Sequence, residues 1–488
     1  MSISIFTSRV VLQTLGVDDY GIYNVVGGFV AMFSILSSSL VNASQRFISY
    51  EMGKVNPQMS RLFCGTVSVH LLMALCVLLV FESFGIWFLN TQLNIAPDRL
   101  TAANWVFQCS VLTFCVNLIS VPYNASIIAH ERMGVFAYIS IYEALAKLGI
   151  VYLLWLSGYD KLIVYAMLML AVSISLRLIY GVYCKRNFEE CQFHFLIDKS
   201  LLKDMLSFAG WNFIGSAAGI LSTQGVNILI NIFFGVALNA ARGLSEQVNT
   251  AINHFITNFM TAMNPQITKS YAAENYEYMN KLMFRGAKYA TILFWFLSLP
   301  ILIKTEYILS LWLVDVPPYA AVFIRLSIIY SLFQSLSNTL YIGMLATGKI
   351  KKYQIVMGSL YIGTIPLCYI FFKIGLGPEW GYLSSIIILF IGVFVRLYLL
   401  RQMIPFFSIM AFVKETVLKI LYVMSVSFII VKLMSIVQMD SDFLSFFFTG
   451  LVSIIITVFS TYVLALEKGE RQIIKVRMRK CTRAIRML

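Results

Sequence analysis

Long uninterrupted apolar runs constrain this chain more than any other feature of its sequence. Runs of about 20 residues or more recur along its whole length, and charged residues make up only 12% of its 488 positions. A helix rises ~1.5 Å per residue, so about 20 apolar residues cross the ~30 Å hydrocarbon core of a bilayer. Transmembrane barrels show an alternation of apolar and polar residues instead. The sequence therefore predicts an all-α, polytopic membrane protein.

The apolar runs predict fourteen membrane-spanning segments. The first covers residues 3–15, which are too few to cross the bilayer, so we expect this span to be incomplete. The other thirteen lie at residues 20–50, 60–89, 100–128, 134–157, 161–183, 205–234, 240–267, 284–313, 319–346, 353–374, 380–403, 412–437 and 443–466.

The basic residues between these segments predict the orientation of the chain. Lys and Arg accumulate in short cytoplasmic loops. If the turn around Asp18 lies outside, the inner loops and the C-terminal tail hold 25 basic residues, with Lys288 counted among them, and the outer loops hold five. We therefore expect both termini in the cytoplasm, with residues 467–488 as a basic cytoplasmic tail.

Seven further cations lie within the apolar segments or near their ends. They are Arg9, Arg46, Lys147, Arg177, Arg242, Arg325 and Arg396. A charge at bilayer depth is costly, so it normally faces a protein interior or an aqueous cavity. Arg177 and Arg396 lie near predicted cytoplasmic ends, where a long side chain can reach the interface.

Two of the seven cations have an acid four residues away. Lys147 follows Glu143 and Arg242 precedes Glu246 at this spacing, so each pair shares a helix face and can form an ion pair. Arg9 has no acid within four residues. Its partner must come from another helix, an aqueous vestibule or a ligand.

Short matches between the two halves indicate an internal repeat. Gly16 corresponds to Gly235 and Tyr50 to Tyr271, and the tetrapeptide at 59–62 corresponds to that at 279–282, at offsets of 219 to 221 residues. This pattern predicts two six-helix bundles related by a pseudo-two-fold axis, at residues 1–195 and 196–403. Residues 404–466 would add a transmembrane hairpin. Parallel repeats of this kind place a cargo site between the halves, where alternating access can operate.

The predicted helix at 240–267 is unusually polar for a segment buried in lipid. Arg242 begins it, and Asn249 and Asn253 follow on one stripe at helical spacing. Amides in membrane helices commonly hydrogen-bond to neighbouring helices. A stripe that begins with an arginine also suits the wall of an aqueous path for a polar cargo.

The stretch Thr7–Tyr23, TSRVVLQTLGVDDYGIY, resembles the opening of Wzx-type polysaccharide repeat-unit flippases. These belong to the superfamily that also contains the MATE multidrug exporters and the lipid II flippase. Ser44–Phe47 and the dipeptide Asn264-Pro265 are similar to the Bacteroides-type versions. The resemblance implies a MATE-like fold and a transporter that is not an enzyme. It would flip an undecaprenyl-pyrophosphate-linked oligosaccharide from the cytoplasmic to the outer leaflet of the bacterial inner membrane, for surface polysaccharides such as O-antigen or lipopolysaccharide.

An anionic pyrophosphate needs cations, and the guanidinium fork matches phosphate oxygens with paired hydrogen bonds. The candidate cargo residues are therefore Arg9 and Arg242 first, followed by Arg325, Lys147, Arg46, Asn249 and Asn253. We expect the lipid-linked oligosaccharide and membrane lipids as partners of a monomer, without cofactor, metal or nucleic acid. Coupling to Na⁺ or H⁺ stays open.

Two other functions compete with the flippase hypothesis. A MATE-type cation antiporter would need acids deep in its cavity, and the candidates are few: Glu82, Glu143 and Glu246. A membrane glycan polymerase or ligase would need a large outer loop or an acidic metal-binding motif. Asp440-Ser441-Asp442 has the letters of such a motif, but it falls in a tight outer turn where isolated acids are expected.

Overall fold

The computed structural model describes residues 10–11, 14–31, 33–91, 95–196, 198–313, 315–435, 442–467 and 469–472, and these are helical with short connections. The first seven helices are α1 (Val17–Ala31), α2 (Ser34–Met52), α3 (Met59–Val80), α4 (Ile86–Thr91), α5 (Leu100–Ala129), α6 (Met133–Leu156) and α7 (Lys161–Asn187). The others are α8 (Lys199–Phe234), α9 (Val236–Ala272), α10 (Tyr276–Ile303), α11 (Thr305–Trp312), α12 (Ala320–Thr347), α13 (Lys351–Lys373), α14 (Trp380–Met403), α15 (Ile409–Phe412), α16 (Leu418–Met434) and α17 (Asp442–Ser460). Single π-helical turns follow α3, α15 and α17.

The predicted all-α, polytopic membrane fold is confirmed. Within the described residues, 11 continuous helices are long and apolar enough to cross a membrane, and α1 with α2 forms a bent pair that would make a twelfth. The 37-residue helix α9 is long enough but is not among these 11, in keeping with its charges and amides. The first predicted segment, at 3–15, lies almost wholly outside the described residues. The count of fourteen therefore stays a prediction.

The chain forms two compact units. The first comprises residues 1–217, 268–275 and 348–354, and the second comprises residues 218–267, 276–347 and 355–488. The long helices α8 and α9 and the start of α13 thus contribute to both units. The predicted bundle boundaries at 195/196 and 403/404 stay predictions.

Each unit has its own apolar core. In the first unit, one buried cluster joins α3, α5 and α7 through Phe63, Tyr123, Ile127, Tyr180 and Cys184. In the second unit, a larger cluster joins α8 to α10, α12 to α14 and the C-terminal hairpin, and includes Val226, Met260, Phe294, Phe323, Tyr382 and Val431. These cores fix the helix faces on which the polar side chains described below lie.

Loops that the charge pattern assigns to one side of the membrane lie together in the first unit. Arg99 forms ion pairs with Asp19 and with Asp160, the latter at 2.6 Å, and all three were placed in outer connections. Lys269 pairs with Glu131 at 2.7 Å, and both come from predicted inner connections. The structure therefore supports the alternation of sides, while the cytoplasmic assignment of the termini stays a prediction.

The C-terminal hairpin packs against α10 in the second unit. The indole of Trp295 donates to the Ser427 hydroxyl at 2.8 Å. Lys288, which the charge count had placed in an inner loop, is buried on α10, and its ammonium donates to the carbonyl of Ala465 at 3.0 Å. It also lies 3.5 Å from Glu470. Burial alone would raise the pKa of the Glu470 carboxyl, but hydrogen bonds from the Glu467 backbone and Tyr289 and the nearby cations hold it below its usual value.

Matched positions of the internal repeat share a backbone conformation. Gly16 and Gly235 have φ of 85° and 86°, the left-handed region that favours glycine, and each immediately precedes a helix of the repeat. The residues that follow form α1 and α2 in the first half and the single helix α9 in the second. Tyr50 and Tyr271, also matched in sequence, are in ring contact at 6.3 Å.

Candidate functional site

The candidate site lies in the second unit, where α9 presents its polar stripe to α12 and α14. The helix begins after Gly235 and continues without a break past Pro265. Its mean hydropathy is low because amides and charges recur along it, so it gains less from lipid contact than its neighbours do. Its polar residues are instead placed against helices that offer hydroxyl groups.

Arg242 is the most deeply buried cation of the α9 stripe, with 4% of its surface exposed. Its guanidinium carbon lies 5.0 Å from the centre of the Tyr382 ring on α14, a cation–π contact. Its Nε and Nη1 atoms are buried, and no described residue accepts a hydrogen bond from either. Buried donors are nearly always satisfied, so the two free N–H groups require a water, an ion or a ligand.

Tyr382 separates Arg242 from the acid that was expected to neutralise it. The Tyr382 hydroxyl donates to Glu246 Oε1 at 3.0 Å and lies 2.5 Å from the Ser245 hydroxyl. Arg242 and Glu246 form no ion pair within the described residues, so the expected direct pairing was wrong. The Tyr382 ring stacks on the Arg242 guanidinium, and the Tyr382 hydroxyl donates to the Glu246 carboxylate. The Nε and Nη1 donors of Arg242 can therefore bind another anion.

Asn249 and Asn253 lie next to each other and face α12. Ser331 donates to Asn249 Oδ1 at 2.7 Å, and the Asn253 amide donates to the same oxygen at 3.0 Å. Asn253 also lies 3.3 Å from the Ser331 hydroxyl. These bonds use much of the polar capacity of both amides, so the pair joins α9 to α12. Asn249 and Asn253 as cargo contacts stay a prediction.

A second buried arginine extends the polar interior of this unit. Arg396 on α14 is 7% exposed, and it donates to the Ser337 hydroxyl on α12 and the Tyr361 hydroxyl on α13, each at 2.5 Å. Its expected reach to the membrane interface was wrong, since the side chain points into the unit. Tyr330 interacts electrostatically with both arginines.

Arg46 lies in the first unit among aromatic rings. Its guanidinium is 4.7 Å from the ring of Phe47, 4.6 Å from that of Tyr50 and 5.9 Å from that of Phe208. Gly348 gives it room, since a Cβ there would lie 2.5 Å from Nη2. Stacking on several rings fixes the orientation of the Arg46 guanidinium.

The other candidate cations have different surroundings. Lys147 pairs with Glu143 at 2.6 Å, as its spacing predicted, and both side chains are partly exposed on α6. Arg325 donates from Nη2 to both carboxylate oxygens of Glu306, at 2.7 and 2.8 Å. Arg9 lies outside the described residues. Among the candidate cations that the structure describes, Arg242 and Arg46 are thus the two whose guanidinium groups stack on aromatic rings.

Arg325 also borders an apolar cavity of about 970 Å³ beside the C-terminal hairpin. Aliphatic and aromatic residues of α10, α12 and α16 form most of its wall, including Trp295, Phe333 and Met424, and Lys432 is the other cation on it. The cavity has the size and polarity that suit part of a lipid chain with an anionic end.

Sequence reasoning missed the aromatic partners of the site. Tyr382, Tyr361 and Tyr330 carry no charge and occur in apolar segments, where a tyrosine is expected at the membrane interface. The one signal in the sequence was the position of Tyr382, a tyrosine at the start of a predicted helix. The structure shows that its side chain is buried in the core of the second unit. Its importance follows from contacts with α9, some 136 residues away in sequence, which no local pattern reveals.

Comparisons with known proteins agree with this architecture. The family model described as polysaccharide biosynthesis protein matches residues 3–271, and the MatE model matches residues 220–370. No curated protein sequence matches the chain.

Solved structures of MATE proteins share the fold. A MATE in complex with MaL6 is 12% identical with a TM-score of 0.67, over 82% of this chain and 93% of its own. A multidrug resistance MATE family transporter in an outward-facing conformation is 12% identical with a TM-score of 0.69, over 82% and 92%. A MOP superfamily transporter from Pyrococcus furiosus, described as having a binding pocket of reverse polarity, is 12% identical with a TM-score of 0.67, over 82% of this chain and 92% of its own. The predicted MATE-like fold is thus confirmed.

Proposed function

Because this chain belongs to the polysaccharide biosynthesis protein family, as a Wzx-type member of the MOP superfamily of transporters, we propose that it flips a lipid-linked oligosaccharide across the membrane. The cargo would carry a pyrophosphate between its lipid, an undecaprenyl chain, and its sugars. Transport would run from the cytoplasmic to the outer leaflet of a bacterial inner membrane by alternating access, with both termini cytoplasmic. The observation that carries the proposal is the buried guanidinium of Arg242, whose Nε and Nη1 donors have no acceptor among the described residues.

The chemistry of Arg242 matches a phosphate better than a cationic drug. Its buried positive charge would repel a cationic cargo, and its Nε and Nη1 atoms can each donate to an anionic oxygen. The acid nearest to it along α9, Glu246, is occupied by the Tyr382 phenol. A pyrophosphate would therefore bind to the guanidinium of Arg242, which Tyr382 orients and which forms no ion pair with Glu246 within the described residues.

The remaining polar interior suits the sugars. Asn249 and Asn253, which follow Arg242 along α9, form a chain of neutral donors and acceptors with the Ser331 hydroxyl of α12. The lipid chain would stay in the bilayer or along apolar walls such as the 970 Å³ cavity beside Arg325. Arg46, on its aromatic ring cluster, would be a second phosphate contact in the first unit. Arg9 remains a candidate contact from the sequence alone.

A deletion strain tests this function without knowledge of the sugars. Loss of the gene should abolish one surface polysaccharide and leave its lipid-linked repeat unit in the inner leaflet, and the wild-type gene should restore both. We expect Arg242→Gln to fail to restore them at normal membrane levels, and Arg242→Lys to restore them partly. Lys281→Gln is the matched control, because this exposed lysine is paired with Glu277 on α10.

The result also separates the two transporter functions. Normal polysaccharide with Arg242→Gln would overturn the role of this residue. Unchanged polysaccharide in the deletion strain itself, together with increased sensitivity to cationic drugs, would replace the flippase by a MATE-type antiporter.

A further inference from the structure

A second cationic site lies in the first unit, on helix faces that the proposed transport cycle does not use. Arg177, Gly181 and Lys185 follow one another at four-residue intervals on α7, so they share one face of the helix. Together with Tyr123 of α5 and residues 191–194 they surround a cavity of about 420 Å³. No sequence motif and no comparison assigns a role to this cavity.

The guanidinium of Arg177 is held in position without using its hydrogen-bond donors. Its central carbon lies 3.8 Å from the centre of the Tyr123 ring, a close cation–π contact. It also lies against Gly181, where an added Cβ would be 2.7 Å from Nη1. A stack on one side and a glycine on the other orient the planar fork, and no described residue forms an ion pair with it.

The third wall of the cavity is built by the connection between α7 and α8. The backbone N–H of His194 contacts the Cys64 sulfur at 3.4 Å, and the Cys64 thiol in turn donates to the carbonyl of Gln192 at 3.3 Å. The N–H of Leu196 donates to the Ser68 hydroxyl at 3.2 Å. These contacts fasten the connection to α3, so His194 faces the same space as the two cations.

Two of the three acids on this connection, Glu190 and Asp198, are already paired, and the third, Glu189, is exposed and does not line the cavity. Glu190 binds His130 at 2.6 Å. Asp198 binds Arg61 at 2.7 Å, and its pKa is lowered by hydrogen bonds from the Leu201 backbone and from Arg61. No acid lines the cavity, whereas Arg177 and Lys185 both do.

We propose that this cavity, defined by Arg177, Gly181, Lys185 and His194, binds the phosphate of an anionic phospholipid headgroup. Basic pockets among membrane helices favour such headgroups. Phe193 and Phe195 on the same connection are 42% and 60% exposed, which places apolar rings at the rim of a charged cavity. This pairing of cations with exposed rings suits a lipid, whose phosphate and acyl chains are joined, better than a free anion.

Native mass spectrometry of the purified full-length protein in detergent tests the proposal. The probes are phosphatidylglycerol, phosphatidylcholine and inorganic phosphate. Wild-type protein should retain phosphatidylglycerol in preference to phosphatidylcholine. Arg177→Gln should weaken the binding of phosphatidylglycerol roughly tenfold, because it removes a charge-assisted donor fork. Arg177→Lys should restore part of that loss.

Arg186→Gln is the matched control, since Arg186 is exposed on the same turn of α7 but does not line the cavity. Its binding should equal that of the wild type. An equal loss in Arg186→Gln would show general attraction to a basic surface and overturn the proposal. Equal retention of the two lipids, or unchanged binding in Arg177→Gln, would do the same.

Two further measurements keep the outcome clear. Gly181→Ala should weaken binding while preserving every charge, because the new methyl group displaces the guanidinium, and alanine favours the helix. Gly181→Ala replaces Arg177→Gln as the test if Arg177→Gln does not fold. Unchanged binding of phosphatidylglycerol by Gly181→Ala would overturn the proposed site. Inorganic phosphate should not displace phosphatidylglycerol at equal concentration; displacement would assign the cavity to a free anion instead of a lipid.

Discussion

The two halves of the repeat make the same helix contact with different chemistry. In the first unit, Tyr23 of α1 contacts Tyr165 of α7, with ring centres 4.8 Å apart. In the second unit, the corresponding helices α9 and α14 bring Arg242 to Tyr382. Tyr23 and Arg242 are 219 residues apart, the offset of the glycines that open both helices. An aromatic ring is thus the partner in both halves, while the other member is neutral in the first half and cationic in the second.

The second cation of this helix pair lies at the opposite end of the repeat. Arg46 is near the end of α2, and an offset of 220 residues matches it to Gln266 of α9. Each half therefore carries one arginine at a position where the other half has an uncharged residue. The two arginines therefore occupy opposite ends of matched helices, Arg242 near the start of α9 and Arg46 near the end of α2.

The largest expected effect comes from making the second unit like the first. Arg242→Tyr would restore the neutral pair seen at Tyr23 and Tyr165 and remove the buried cation. Loss of a buried charge contact costs about 2 kcal/mol or more, so we expect transport of the lipid-linked repeat unit to fall roughly 30-fold or more. Polysaccharide output per protein in the membrane measures this. Near-normal output would show that the difference between the halves is irrelevant to transport.

Arg46→Gln should have the next largest effect. The substitution removes a cation held by the Phe47 and Tyr50 rings and leaves the rings in place. We expect roughly a tenfold fall in transport, with partial recovery in Arg46→Lys, which keeps the charge but loses the planar fork. If Arg46→Lys and Arg46→Gln reduce transport equally, the rings serve to pack Arg46 within the helix bundle and do not position it for a phosphate.

Tyr382→Phe and Tyr23→Phe form a matched pair for the aromatic partner. In Tyr382→Phe the ring beneath Arg242 remains, but the hydrogen bond to Glu246 is lost, so the carboxylate becomes free to approach the arginine. A lost hydrogen bond of this kind costs about 1 kcal/mol, so transport should fall roughly fivefold. Tyr23→Phe removes a hydroxyl from a tyrosine pair that contains no candidate cargo residue, so transport should change by less than about twofold. Equal effects in the two variants would remove the functional distinction between the units.

The smallest effect is expected from Lys147→Gln. The side chain is already paired with Glu143 and is partly exposed on α6. Pairs at this spacing contribute about 0.3–0.5 kcal/mol, so transport and thermal stability should both remain close to wild type. A loss as large as that of Arg242→Tyr would mean that the pair opens to receive cargo.

The sequence predicts the fold well because lipid imposes simple length and polarity rules. Apolar runs gave the helices, and the alternation of basic loops correctly brought Asp19, Arg99 and Asp160 to one side. The same rules failed for Lys288, which was taken as a loop residue and is buried against the hairpin. A lysine near a helix end can extend into water or donate to a buried carbonyl group. Which of the two occurs depends on how the helices pack, and the local sequence does not contain that information.

The site was predictable in part. Arg242, Asn249 and Asn253 stand out as polar residues in an apolar context, and the structure places all three on one polar stripe. Tyr382 and Arg396 were missed or misplaced because their partners lie on other helices. The four-residue spacing of Arg242 and Glu246 predicted an ion pair, but the phenol of Tyr382 prevents it, and spacing contains no information about a third residue.

Binding of undecaprenyl pyrophosphate to the purified protein is the most direct test of the central claim that Arg242 contacts the pyrophosphate of the cargo. Titration of wild type, Arg242→Lys and Arg242→Gln in detergent should give affinities that decrease in this order, with Arg242→Gln weaker than wild type by roughly tenfold or more. Equal affinities in folded wild type and Arg242→Gln would contradict the account.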